Sequence, residues 1–230
     1  MMDAKPANPP RRACAGLLRR KEVWTLSRRG WLVALAAAAA LLVGLLLGIH
    51  PFLAVTDRAQ ADVLVVEGWI PNYALLESWK EFESGHYRTL FTTGVLAREE
   101  LRTNPEDNHA TWAKERLEKM LGPKNEIIAV PAQTVKRDRT YASAVALKKW
   151  LDDHHQRVAA INVVTIGAHA RRSRLLYQKA FGADTTVGII ALPDEEYEQD
   201  RWWKYSEGVR EVMSEGVAYL YARLFFYSDN

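Results

Sequence analysis

The sequence predicts a Rossmann-like α/β three-layer sandwich with a mainly parallel five-stranded sheet, carried behind one N-terminal transmembrane helix. Three observations lead there. Short apolar, β-branched runs recur between longer segments of helical period. That alternation calls for a parallel sheet with helices on both faces, joined by right-handed crossovers. The runs are apolar throughout, as strands covered on both faces are. Finally, residues 31–49 (WLVALAAAAALLVGLLLGI) hold no Lys, Arg, Asp or Glu. At about 1.5 Å per residue they nearly match the roughly 30 Å hydrocarbon core of a bilayer.

Taken in order, residues 1–30 are rich in Pro, Ala and Arg and show no apolar period, which predicts a disordered basic tail. They carry Lys5, Arg11, Arg12, Arg19, Arg20, Lys21, Arg28 and Arg29 against Asp3 and Glu22. The net charge of the whole chain is +3, so the remainder is acidic, and nucleic-acid binding by the folded part is not expected. The only cysteine, Cys14, lies in this tail. The folded part therefore has no disulfide and no thiolate metal site. Residues 31–50 read as the anchor, with His50-Pro51 expected to end it. Ala and Leu cover every face of the span, which is unlike an amphipathic core helix. Basic residues before it place the N-terminus in the cytoplasm and the domain outside. The competing reading is a signal peptide cleaved at Ala59-Gln60-Ala61; the length of the run, and the position of that site directly against the first strand, favour a retained anchor.

The domain is expected over residues 60–228. Residues 62–66 (DVLVV) read as the first strand and residues 73–83 as a helix with Leu75, Leu76, Trp79 and Phe82 at helical spacing. Residues 88–93 (RTLFTT) are the second strand, closed by Gly94, and a polar loop runs to about Asp107. Residues 108–121 are helical, ended by Gly122-Pro123. Residues 126–130 are the third strand and residues 139–155 a long helix. Residues 161–166 are the fourth strand and residues 170–181 a helix ended by Gly182. Residues 185–190 are the fifth strand. A final helix over 201–226 places Val209, Val212, Met213, Gly216, Val217, Leu220 and Leu224 on one side.

Chemistry concentrates where strands end. Gly68, Gly94 and Gly167 mark the turns after the first, second and fourth strands. In a parallel sheet those turns share one edge, where ligands of open α/β sheets bind. His169 follows Gly167 and suits proton transfer or phosphate contact. Arg172 is three residues on, able to share its face, and its head is expected to point to solvent or ligand. Arg171, Arg172 and Arg174 open a helix, where positive charge opposes the dipole unless an anion is near. Asp138 is placed to cap the helix that begins at Arg139, and Thr140 offers a hydroxyl. Glu67 and Asp138 are the candidate bases. His154 and His155 suit a helix C-terminus. There is no Walker loop, GxGxxG fingerprint, GxSxG elbow or metal-ligand spacing, so neither a cofactor nor a metal is expected.

The residues after these strands resemble the SanA/YdcF/ElyC family (domain of unknown function 218) over about residues 60–190. The matching segments are ADVLVVEGW, TTG, Thr140-Tyr141-Ala142-Ser143-Ala144 and Ala168-His169-Ala170-Arg171-Arg172-Ser173. The family carries a Thr-Tyr-Glu-Asn-Ala type segment at the third of these and a Tyr-His-Met-x-Arg-Ala type segment at the fourth. Thr140, His169 and Arg172 match, whereas Ala142 and Ser143 stand where the family has Glu and Asn. The resemblance implies a Rossmann-like fold in the bacterial envelope and a part in barrier function, peptidoglycan or lipid-carrier metabolism. One cytosolic relative is associated with S-adenosylmethionine, a ligand that an outward-facing domain would not meet.

The expectation is an inner-membrane, single-pass protein whose domain binds a phosphate-bearing ligand, a lipid-linked or nucleotide-sugar intermediate, in envelope or exported-polysaccharide assembly. His169 and Arg172 would contact phosphate, Thr140 would hydrogen-bond it, and Glu67 or Asp138 would act as base. The bilayer is the expected partner, with envelope proteins beside it. The alternatives are a non-enzymatic envelope scaffold with a vestigial site, with Trp202, Trp203 and the last helix facing a partner, and a nucleotide- or S-adenosylmethionine-binding domain.

Overall fold

The computed structural model describes residues 12–13, 18–19, 25–95, 108–124, 126–133, 135 and 137–226. Most of the expected basic tail, including Cys14, lies outside the described residues, as do most of the polar loop before Asn108 and Lys136. The chain divides into two compact units, Met1–Gly44 and Leu45–Asn230.

In the first unit, Arg12–Ala13 pairs antiparallel with Leu18–Arg19. Helix α1, Arg28–Leu53, begins there and is long and apolar enough to cross a membrane. It does not stop at His50-Pro51 as expected. Pro51 lies inside the helix, the Ala54 N–H donates to the His50 carbonyl (2.8 Å), and Leu53 is 1% exposed. Burial of His50 and Leu53 in the second unit holds the last turn that proline would otherwise weaken.

The second unit is an α/β sandwich. Its strands are β1 (Val63–Glu67), β2 (Thr89–Gly94), β3 (Ile127–Pro131), β4 (Ala160–Ile166) and β5 (Thr186–Leu192). They form one sheet in the order β3-β2-β1-β4-β5, parallel at every pairing. Helices α2 (Asn72–Ser84) and α3 (His109–Leu121) cover one face, where Leu75, Trp79 and Leu117 pack on Leu64, Val66, Leu90 and Val164. Helices α4 (Arg139–Asp153) and α5 (Ala170–Phe181) cover the other, where Leu147, Leu151, Tyr177 and Phe181 pack on Val65, Phe91, Ile161 and Val163. The order in which strands are added to the sheet reverses between β1 and β4. The crossover from β3 to β4 therefore leaves a crevice at their carboxyl ends.

The expected final helix is two helices. A 3-10 helix, Gln199–Lys204, is followed by extended backbone at Tyr205 and then α6, Ser206–Leu224. Trp202 accounts for the break: it turns inward to 3% exposure, and its indole N–H reaches the Leu46 carbonyl at 3.0 Å. Leu46, Ile49 and Leu53 of α1 join Trp202 and Val212 in a separate apolar cluster.

The connector from α1 to β1 is built into the sheet. Asp57 forms an antiparallel bridge with Ile189 on the edge strand, at 2.8 and 2.9 Å. The Asn162 side chain exchanges bonds with the Ala59 backbone, both at 2.8 Å. Two of the helix-start arginines serve this connector and the last turn of α1 rather than a ligand. Arg174 pairs with Asp57 at 2.8 Å, and Arg171 donates to the Phe52 carbonyl and lies over its ring.

Candidate functional site

The carboxyl edge of the sheet opens into a cleft of about 1210 Å³. Its floor comes from strand alternation. Glu67, Thr93 and Thr165 end three neighbouring strands on the face covered by α5, with Glu67 opposite Thr93 in register. All three are buried, as are Ser173 and Tyr177 above them.

Glu67 is surrounded by donors. Its Oε2 accepts from Thr165 Oγ1 (2.5 Å) and Trp69 Nε1 (3.2 Å), and its Oε1 accepts from Ser173 Oγ (3.0 Å). His169 Nε2 lies 3.5 Å from Glu67 Oε2, an ion-pair distance rather than a hydrogen bond. The Trp69 ring meets the His169 ring edge-on with centroids 4.9 Å apart. Nearby, Thr93 Oγ1 and the buried Tyr177 hydroxyl are bonded at 2.9 Å. Burial and the Glu67 charge push the Tyr177 phenol up, so it stays a neutral donor.

Glu215 of α6 closes the network from above. Its Oε1 lies 2.9 Å from His169 Nδ1, and Arg172 grips both of its oxygens, Nε to Oε2 at 2.7 Å and Nη2 to Oε1 at 3.0 Å. Arg172 Nη2 is also 3.0 Å from His169 Nδ1. The tautomer decides which contact is a bond. A proton on Nδ1 is donated to Glu215, whereas a bare Nδ1 accepts from Arg172 and leaves the proton on Nε2, towards Glu67. Burial would raise the Glu215 carboxyl, but the charges and hydrogen bonds of His169 and Arg172 outweigh it and hold the group at about 2. Burial also works against the Arg172 charge, and Glu215, Glu67 and Asp138 more than restore it.

A second carboxyl pair, Asp194 and Glu211, lies beyond Gly167. Glu211 accepts from the Ala168 N–H at 3.2 Å, and burial together with Asp194 raises it well above the usual carboxylate range. Gly167 has φ +50°, and a Cβ there would sit 2.7 Å from Glu211 Oε1. The positive φ is what calls for glycine at this turn, since the Glu211 carboxylate end could swing aside.

The expected site residues fall into three groups. Glu67, His169 and Arg172 come together, with Gly167 beside them. Asp138 and Thr140 line the cleft from the start of α4, and Gly94 lines it from β2. Gly68 is packed by backbone instead. A Cβ there would lie 2.1 Å from the His109 carbonyl oxygen, and one at Gly94 would lie 2.6 Å from the His109 Cβ. These glycines let the first turn of α3 sit directly on the strand ends. Two expectations are corrected. Asp138 occupies the N-cap position in the left-handed region (φ 56°) and makes no side-chain capping bond; a capping residue needs extended backbone to aim its oxygen at the first turn. Of the two directions expected for the Arg172 head, solvent is corrected: the residue lines the cleft with its guanidinium turned into Glu215, at 18% side-chain exposure.

Sequence reasoning missed Glu215, Glu211, Asp194 and His109. The available signal was Glu207, Glu211 and Glu215, three carboxylates one turn apart along one side of a helix whose other side is apolar. His109 is half buried at the start of α3, where burial and the charges of Arg139 and Arg116 lower it. On the rim, Arg139 is exposed and has no ion-pair partner among the described residues. No cluster of His, Cys, Asp and Glu suited to a metal exists among the described residues. In comparisons with family models and with curated proteins the chain matches none.

Proposed function

We propose that this is a membrane-anchored α/β protein of the SanA/YdcF/ElyC kind, with its domain outside the bacterial inner membrane, and that the cleft receives a phosphate-bearing ligand used in envelope or exported-polysaccharide assembly. The observation that carries this reading is the cleft at the strand-order reversal, with the His169 imidazole held on its floor and, on its rim, the exposed Arg139, which has no ion-pair partner among the described residues. Arg139 begins α4, where the first N–H groups are free of a side-chain cap. Arg139, those N–H groups and the Thr140 hydroxyl suit phosphate oxygens better than Arg172 does, because Glu215 already occupies the Arg172 fork. His169 Nε2 is the atom at which a proton is held or passed, with Glu67 and Glu215 fixing the ring. The ligand class is a lipid-linked or nucleotide-sugar phosphate; the basic residues before α1 support the outward orientation.

One observation favours the scaffold reading. His169 and Arg172 satisfy their charges within the protein, as a structural network does. Phosphorus NMR titration of the detergent-solubilised full chain with uridine diphosphate and pyrophosphate separates the two. The expected result is binding by wild type that weakens about ten- to a hundredfold in Arg139→Ala, the loss of one charge-assisted contact. No binding of either probe by wild type, or unchanged binding in Arg139→Ala, removes the phosphate reading and leaves the scaffold.

A further inference from the structure

The apolar side of α6 faces outward. Val209 is 40% exposed, Met213 53%, Val217 66%, Leu220 55% and Leu224 59%. At 100° per residue these five fall within an arc of about 80° that runs about 22 Å along the helix. Tyr221 and Phe225, also exposed, extend the apolar surface at its C-terminal end. Exposed Arg210 and Arg223 border the arc on either side. Arg210 also lines the cleft, whereas the other cleft-lining residues of α6, Glu207, Glu211, Ser214 and Glu215, lie on a different side of the helix.

We infer that this stripe is a membrane-interfacial face, lying in the boundary between headgroups and acyl chains beside the anchor. The inference rests on the anchor proposed above. Three features select a bilayer as the occupant. The last turns of α1 belong to the same compact unit and pack on α6 at Gly216, where a Cβ would lie 3.4 Å from Ile49 Cδ1 and 3.9 Å from Leu53 Cδ1. Gly216 is flanked by Met213, Val217 and Leu220, so Ile49 and Leu53 pack beside the middle of the stripe. The stripe offers aliphatic groups to insert among acyl chains, aromatic groups at one end, and an arginine at each border that can reach anionic headgroups. An uncovered apolar stripe of this length is also uncommon on a surface that meets only water.

The test is spin-label accessibility on the full chain in vesicles of mixed zwitterionic and anionic lipid, in a Cys14→Ser background. Single labels are placed at Met213→Cys, Val217→Cys and Leu220→Cys, with Leu42→Cys in the anchor and Lys149→Cys on the exposed side of α4 as references. The inference expects oxygen-to-nickel accessibility at the three α6 positions several-fold above that at Lys149, and of the same kind as at Leu42. A lipid-exposed Leu42 with water-exposed α6 labels overturns the inference and leaves the anchor standing. A water-exposed Leu42 removes the anchor and the inference together. Dipolar broadening at Val217 that disappears on dilution with unlabelled chain assigns the stripe to a second copy and overturns the bilayer.

Discussion

Glu215 is the residue on which the floor of the cleft depends. It is the common partner of His169 and Arg172, and all three are largely buried. Removing one member of a buried ion pair leaves the other uncompensated, which costs far more than the pair itself contributes. Arg172→Ala and Glu215→Ala are each expected to destabilise the folded chain by about 3–5 kcal/mol in urea titrations. The double variant Arg172→Met/Glu215→Leu is expected to recover much of that loss, and additive single effects would refute the coupling. The same contacts fix a pH dependence. The Glu215 carboxyl is held at about 2 in the folded chain, below its usual 4.5. Its stabilising contribution is therefore full above about 4.5 and is lost as pH falls towards 2. The shift corresponds to on the order of 3 kcal/mol. Glu215→Gln should remove this part of the acid limb of a stability–pH profile, and an unchanged limb would show that other carboxylates carry it.

Among the elements, α3 is seated by what two strand ends lack. The His109 carbonyl comes within 2.1 Å of where a Gly68 Cβ would stand, and that atom is backbone, which cannot rotate away. Gly68→Ala must push the first turn of α3 off β1 and β2, and is expected to cost about 1–3 kcal/mol. It should also disturb the cleft wall at His109, read as a changed His109 ring resonance in NMR. A wild-type melting curve and spectrum for Gly68→Ala would contradict the close approach. Helix α6 shows the opposite relation between side chain and position. The apolar residues expected on one side of it share that side, yet only Val212 of them is buried, because Glu211 and Glu215 turn a different side towards the cleft. The hydrophobic pattern located the helix without deciding which of its faces meets protein.

Across the whole molecule, the connector after α1 is part of the fold. Asp57 extends the edge of the sheet at Ile189, Ala59 satisfies Asn162, and Asp57 also pairs with Arg174. Cleavage after Ala61 would strip all three and leave Asn162 and Arg174 without these partners. The protein isolated from cells is expected to begin upstream of Leu45, and a chain made to start at Asp62 should melt roughly 5 °C lower or more. A mature N-terminus at Asp62 with an undiminished melting temperature would make the apolar segment a signal peptide.

The α/β class, the parallel strands, the apolar N-terminal helix and the edge on which Glu67, His169 and Arg172 meet are all legible in the order of residues. These follow from local signals. Continuous β-branched runs, helical periods and glycine turns are written within a few residues of where they act. What those residues do to one another follows from packing between elements. Glu215 lies more than forty positions from His169 and Arg172, and nothing in its neighbourhood marks it as their partner. Its approach depends on Trp202 breaking the last helix, and on Leu46, Ile49 and Leu53 seating that helix against the domain. Asp138 likewise has a capping residue's identity without its backbone. Charge pairing and side-chain direction depend on distances between elements, and those are set only when the layers pack.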